Sequence, residues 1–190
     1  MIGAGSIARH HIIAARQAGF DVSYVCARPN SLNAHEIAKK YNIPKVLDSE
    51  EILFKTKVDA ITICSSTNSH IEILNKIGEM QVPILIEKPI STNPEDFNKL
   101  DRVYLEQKVI VGLNRRHYNS IKRLKTLIES FPEKVSFSAN IPEFSWDMSP
   151  DPETGRIFFI DNNCHTIDIL NYVFGRMYLE AITPLPDGSF

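Results

Sequence analysis

Three apolar runs set the terms for this chain: VDAITIC at residues 58–64, VPILIE at 82–87 and KVIVGLN at 108–114. VDAITIC is nearly continuous in apolar residues and reads as a strand covered on both faces; VPILIE reads as another buried strand and KVIVGLN as the next strand. Helix-like segments separate them, SHIEILNKIGEM at 69–80 and STNPEDFNKLDRVYLEQ at 91–107. In the second, Asn93 supplies a cap and Pro94 the first helical position. Strands joined through helices pair in parallel, which predicts an open α/β sheet with helices on both sides.

The same rhythm runs upstream. SIARHHIIAARQA (6–18) reads as a helix stopped by Gly19, DVSYVCA (21–27) as a strand and AHEIAKKY (34–41) as a helix. Asp48 with Glu51 makes a capping-box-like start for SEEILFK. Past about residue 115 the rhythm fades. NSIKRLKTLIESF (119–131) is helical, and EKVSFSANI (133–141) alternates like an antiparallel strand. EFSWDMSPDPETG (143–155) is a polar loop, DNNCHTIDILNYVFG (161–175) a helix stopped by Gly175, and RMYLEAIT (176–183) a strand.

Composition excludes several classes. With 43% hydrophobic and 23% charged residues in 190, the chain has an ordinary globular balance. A net charge of -2 offers no basic field for nucleic acid or acidic membranes. No apolar run approaches the roughly 18 residues of a membrane span, and no secretory leader pattern opens the sequence. Cys26, Cys64 and Cys164 are odd in number and far apart, without C-x-x-C spacing, which predicts free thiols and a reducing cytoplasm.

The first residues, MIGAGSIARHH, place Gly3, Gly5 and the small Ala8 at G-x-G-x-x-[GA] spacing. Glycines there let backbone approach a pyrophosphate, and the helix that follows offers N–H groups and a favourable dipole. Alone the hexapeptide is weak, and chance is a fair alternative; the helix after it and the strand at 21–27 strengthen it. That strand ends Cys26-Ala27-Arg28-Pro29, with no acid for a ribose 2′-hydroxyl. Arg28 suits a 2′-phosphate and favours NADP over NAD; a solvated turn arginine is the alternative.

LIEKPIS carries the next signal. Glu87-Lys88-Pro89 at a strand end resembles the EKP motif of the Gfo/Idh/MocA oxidoreductases. Other stretches resemble that family in order: VDAITICSSTNSH with its Asn68-Ser69-His70 turn, VGLNRRH with Asn114, Arg115 and Arg116, and DNNCHTID with Asp161, His165 and Asp168. The resemblance runs from Gly3 to about residue 183. It implies a Rossmann-type parallel sheet at 1–116, its first strand largely missing, followed by the beginning of an α+β substrate domain at 117–190. It also implies NADP or NAD as cofactor and full-length relatives that form homo-oligomers.

The resemblance assigns roles as well. Lys88 assists proton transfer and positions the nicotinamide, His165 is the acid/base, and Asp161 binds a substrate hydroxyl or orients its neighbours. Gly3, Gly5, Ser6, Ile7, Arg28, Ser65, Asn68, His70, Glu87 and Lys88 form the cofactor set. Asn114, Arg115, Arg116, Trp146, Asp161 and His165 form the substrate set, with ordinary packing as the alternative for Trp146. No metal is expected. The implied reaction is hydride transfer between nicotinamide and a sugar, cyclitol or nucleotide-sugar carbon. A dinucleotide-binding remnant without turnover is the alternative, and a regulatory module would not need the Lys88/His165 pair.

Spacing supports part of this independently. Positions 161, 165 and 168 fall on one face of a helix, where a carboxylate one turn away can orient an imidazole. A core or surface histidine with two nearby acids is the alternative. Cys164 points about 100° away from His165 and is not its nucleophilic partner. His10 and His11 read as solvent or packing residues, with an approach of one to phosphate as the alternative. The Thr154-Gly155-Arg156 and Ser66-Thr67 stretches depart from the family pattern. Only Met1 and Ile2 precede the glycine turn, so the two strands that should flank a central first strand are expected to lose their shared partner. On this reading Met1 is an internal methionine of a longer protein or the start of a degraded gene.

Overall fold

The computed structural model describes residues 1–49, 56–77, 80, 82–100, 109–131, 133 and 152–178. The chain divides into two compact units, Met1–Gly112 and Leu113–Phe190.

In the first unit, β1 (Tyr24–Cys26), β2 (Lys45–Leu47), β3 (Ile61–Ile63), β4 (Ile84–Ile86) and β5 (Val109–Val111) pair only in parallel, β1 with β2, and β4 with both β3 and β5. Ile2 joins the two groups, bridging in parallel to Cys26 on one side and Ile63 on the other. The spatial order is therefore β2-β1-Ile2-β3-β4-β5. This is a Rossmann-type sheet in which Ile2 takes the place of the central first strand.

The expected loss of a shared partner does not occur. Ile2 N–H donates to Thr62 O at 2.8 Å and Cys64 N–H to Ile2 O at 2.8 Å. On the other side Gly3 N–H donates to Cys26 O at 2.8 Å, and Cys26 N–H to Met1 O at 2.7 Å. Every described strand is three residues long. The paired stretch is thus short enough for Met1–Gly3 to meet these backbone groups of both neighbouring strands.

Helices cover both faces. α1 (Ala8–Gln17) buries Ala8 and Ile12; α2 (Leu32–Lys40) buries Ala34 and Ala38. Ser31 caps α2 by accepting the Ala34 N–H at 3.3 Å. α3 (His70–Ile77) buries His70, Ile73, Leu74 and Ile77, the i, i+3, i+4, i+7 stripe of a core-facing helix. One core cluster gathers Ile2, Cys26, Ile63, Leu74 and Ile86 among others, and a second gathers Ile12, Val25, Ala34, Ala38 and Ile43. Val25 and Cys26 are consecutive yet belong to different clusters, as neighbours on a strand buried on both faces must. Asn93 and Pro94 start their segment as expected, Asn93 Oδ1 accepting the Glu95 N–H at 3.1 Å, but Pro94–Lys99 is a 3-10 turn. The rest of that expected helix, at 101–107, lies outside the described residues, as does nearly all of the expected helix at 49–55.

The second unit contains a 3-10 turn at Asn114–His117, α4 (Asn119–Glu129) and α5 (Pro152–Phe174). α5 starts nine residues before the predicted 161, so the predicted loop to 155 is helical from Pro152. The physical reason is that proline and an acid, read as loop formers, are also what a first helical turn favours. Gly175 ends α5 with φ +82° and its N–H on Asn171 O at 3.0 Å. The predicted strands at 133–141 and 176–183 fall largely or wholly outside the described residues. Among the described residues, no helix is long and apolar enough to cross a membrane.

Candidate functional site

Open α/β sheets bind ligands beyond the carboxyl ends of their strands, at the point where strand order reverses. Here the reversal falls at Ile2, between β1 and β3. The segments leaving that edge are Gly3–Ile7, Ala27–Arg28, Cys64–Ser69, Glu87–Pro89 and Gly112, and direct contacts knit three of them together.

Gly3 is pressed against the segment after β3. A Cβ there would stand 2.5 Å from Ser65 N and 2.6 Å from the Cys64 carbonyl carbon, on a backbone with φ +103°. Cys64 Sγ lies 3.4 Å from Ile2 O and 3.5 Å from Gly3 O, and burial pushes its thiol up to about 12. It is a structural thiol, without thiolate chemistry near neutral pH. Ser69 Oγ sits 2.8 Å from Ser65 Oγ and 2.7 Å from Ser66 O, closing the turn that carries Asn68.

His70, expected in the cofactor set, lies at the junction of two of these segments. It is 1% exposed, with Nε2 3.1 Å from Ser65 O and Nδ1 3.0 Å from Pro89 O. Its ring nitrogens face backbone carbonyls, so it ties the segment after β3 to the one after β4. Being first on α3, it shares the buried stripe of Ile73, Leu74 and Ile77, a signal its i+3, i+4, i+7 spacing already carried.

Glu87 is held from two sides. His11 Nε2 donates to Oε1 at 2.7 Å, and the Lys88 backbone N–H donates to Oε2 at 3.2 Å. Burial pushes the Glu87 carboxyl up, but the hydrogen bond and charge of His11 and those of Lys88 outweigh it and leave the group below its usual range. Reading His11 as a solvent or packing residue missed this contact. Ala8 and Ile12 are the buried residues of α1, and His11, three beyond Ala8, falls on that same inward side. His10 stays exposed, 3.2 Å from Arg9 Nε.

Around this rim Gly5, Ser6, Ile7, Arg28 and Asn68 are exposed and Lys88 is half-buried. A Cβ on Gly5 would meet nothing within 4 Å. A cradle closed at Gly3, open at Gly5 and followed by a helix N-terminus at Ala8 fits a dinucleotide pyrophosphate.

In the second unit, α5 carries Asp161, half-buried, with His165 and Asp168, both 8% exposed. Cys164 Sγ donates to Asp161 O at 3.1 Å, so the thiol is engaged within its own helix. Arg116 grips Asp168 with two nitrogens, Nε to Oδ2 at 2.9 Å and Nη2 to Oδ1. The hydrogen bond to Asp168 raises the guanidinium further above its already high range. Arg116 also lies 5.4 Å from the Tyr172 ring centre, and Lys125 Nζ lies 5.0 Å from the same ring. The guanidinium, expected in the substrate set, anchors the 114–117 turn onto α5. Asn114 is exposed and Arg115 half-buried. Trp146 lies outside the described residues. Among the described residues, no group of three or more His, Cys, Asp or Glu could hold a metal ion.

The fork predicts that Arg116→Ala costs about 1–3 kcal/mol, since it strands a buried carboxylate. Arg116→Lys should recover less than half of that, because an ammonium cannot reproduce a bidentate contact. Urea unfolding of the three proteins measures both; an alanine variant as stable as the parent would show the fork to be idle.

A profile of the Gfo/Idh/MocA oxidoreductase family, described as an NAD-binding Rossmann fold, matches residues 1–115. The myo-inositol 2-dehydrogenase of Thermotoga maritima is 27% identical over 197 aligned positions, covering 100% of this chain and 57% of that protein. The crystal structure of a Thermotoga maritima oxidoreductase superposes with a TM-score of 0.72 at 27% identity, covering 92% of this chain and 59% of the other. The myo-inositol dehydrogenase of Lactobacillus casei, solved with NAD(H) and myo-inositol, shares the fold with a TM-score of 0.73 at 21% identity, covering 90% of this chain and 52% of the other. The chain spans about half the length of the curated relatives it matches.

Proposed function

Because the chain belongs to the Gfo/Idh/MocA oxidoreductase family, with its NAD-binding Rossmann fold, we propose that it passes a hydride between a nicotinamide dinucleotide and a hydroxyl-bearing carbon of a sugar, cyclitol or nucleotide-linked sugar. The observation that carries this reading is the rim at the switch point, where Gly3, Ser65, His70 and Glu87–Pro89 are joined by contact and hydrogen bond. The inositol dehydrogenase names among its relatives support a polyhydroxyl substrate.

Within this reading the first unit holds the cofactor and the second supplies substrate residues. Gly3–Ile7 receive the pyrophosphate at the α1 N-terminus, and Ser65 and Asn68 line the path toward the nicotinamide. The bound nicotinamide supplies the hydride acceptor or donor. Lys88 stabilises the substrate oxygen as its proton leaves, and His165 takes that proton, oriented by Asp161 one turn away. Asn114 and Arg115 meet substrate hydroxyls or an anionic group. Arg28, exposed at the end of β1, favours the 2′-phosphate of NADP. The buried free thiols Cys26 and Cys64 support a reducing compartment such as the cytoplasm.

Titrating the chain with NADH and NADPH while following nicotinamide fluorescence tests both levels. Saturable binding is expected, severalfold tighter for NADPH, and Arg28→Ala should erase that preference by weakening NADPH alone. An equal response to both cofactors in parent and variant would remove the NADP assignment. Absence of saturable binding to either would remove the oxidoreductase reading. Binding without turnover on myo-inositol, hexoses and nucleotide sugars would favour a dinucleotide-binding module.

A further inference from the structure

We infer that His11 is a positioning residue for Lys88, acting through the Glu87 carboxylate. The inference rests on the proposed role of Lys88 and concerns how that lysine is aimed. Lys88 follows a strand end, where a backbone is free to twist unless something fixes its peptide. Glu87 Oε2 ties that peptide by accepting the Lys88 N–H at 3.2 Å. A glutamate side chain with three rotatable bonds holds that pose only if its other oxygen is also anchored. Oε1 is anchored by His11 Nε2 at 2.7 Å.

The surroundings limit the alternatives. Gly112 faces the same carboxylate, and a Cβ there would lie 3.3 Å from Ile86 O and 3.6 Å from Glu87 Oε1. On the far side of Lys88, Pro89 O lies 3.0 Å from His70 Nδ1. The two residues flanking the lysine are thus each tied to a histidine, one from α1 and one from α3. Since α1 begins directly after the glycine turn, His11 couples the segment that receives the pyrophosphate to the segment that carries the lysine. Both the neutral Nε2–H tautomer and the imidazolium can donate this bond, so the link needs no change of charge.

Backbone amide exchange at Lys88, followed by NMR on the intact chain, reads the link directly. His11→Ala is expected to speed exchange of the Lys88 amide by about tenfold, the scale of one lost charge-assisted hydrogen bond. Amides in β1 and β2 should be unchanged. His11→Gln, whose side-chain N–H can still reach Oε1, should restore protection. In turnover assays His11→Ala should lower kcat by about tenfold with the affinity for ADP-ribose unchanged, and Gln should again recover it. A Lys88 amide that exchanges as before in His11→Ala would overturn the inference, as would faster exchange spread evenly over the sheet. If the parent turns nothing over, the functional reading falls, yet amide exchange still decides the role of His11.

Discussion

Gly3→Ala is expected to cost about 3–5 kcal/mol, combining a non-glycine residue held at positive φ with an unrelieved collision. The added methyl would stand 2.5 Å from Ser65 N, 2.6 Å from Cys64 C and 2.7 Å from Cys64 O. All three are backbone atoms, and they belong to the segment that leaves β3, so no rotamer change relieves the contact. Nor can Gly3 retreat, because its N–H is bonded to Cys26 O at 2.8 Å and Ile2 is bridged to both neighbouring strands. A thermal midpoint about 10 °C or more below the parent's should result. Gly5→Ala separates folding from binding at the same turn. A Cβ there meets nothing within 4 Å, so stability should hold within about 0.5 kcal/mol while nicotinamide dinucleotide affinity drops. Calorimetry on both variants, with and without NADH, makes the comparison. A Gly3→Ala protein that melts with the parent would mean that the turn is not packed as described.

The parallel sheet was legible because its strands are runs of apolar residues: Ile61, Ile63, Ile84 and Ile86 bury one face, and Val25 beside Cys26 shows the other buried too. The order of the cofactor segments was legible for the same reason, since each motif follows a strand whose end the sequence already marks. What the sequence hid was the use made of polar side chains once the segments met. His70, expected in the cofactor set, meets two carbonyls, and His11, expected as a solvent or packing residue, meets Glu87. Arg116 and Asp168 are 52 residues apart and pair by a fork that no local spacing announces. The early start of α5 was missed because Pro152 and Glu153 serve a loop or a first helical turn equally well. Residues 1–3 suffice to join the two groups of strands because only short stretches of each strand are paired, with Ile2 bridging to Cys26 and Ile63.

Lys88→Ala should lower turnover by about a hundred- to ten-thousand-fold, the range expected for losing a positioned acid–base group. The side chain is half-buried and the backbone N–H is held by Glu87 Oε2, so truncation removes the ammonium and leaves the peptide held. Binding of ADP-ribose, which tests the Gly3–Ile7 end alone, should change by less than about twofold. Lys88→Arg should not rescue, because a planar guanidinium cannot take the place of a compact ammonium beside the substrate oxygen. His165→Ala supplies the decisive comparison. If the ammonium and the imidazole serve one proton transfer, the double variant should be hardly slower than the worse single variant, because the second loss removes a group already made useless. If they serve separate steps, the two losses should multiply. A Lys88→Ala protein with parental turnover would end the assignment at once. Multiplying losses would keep the dehydrogenase and discard the shared proton path.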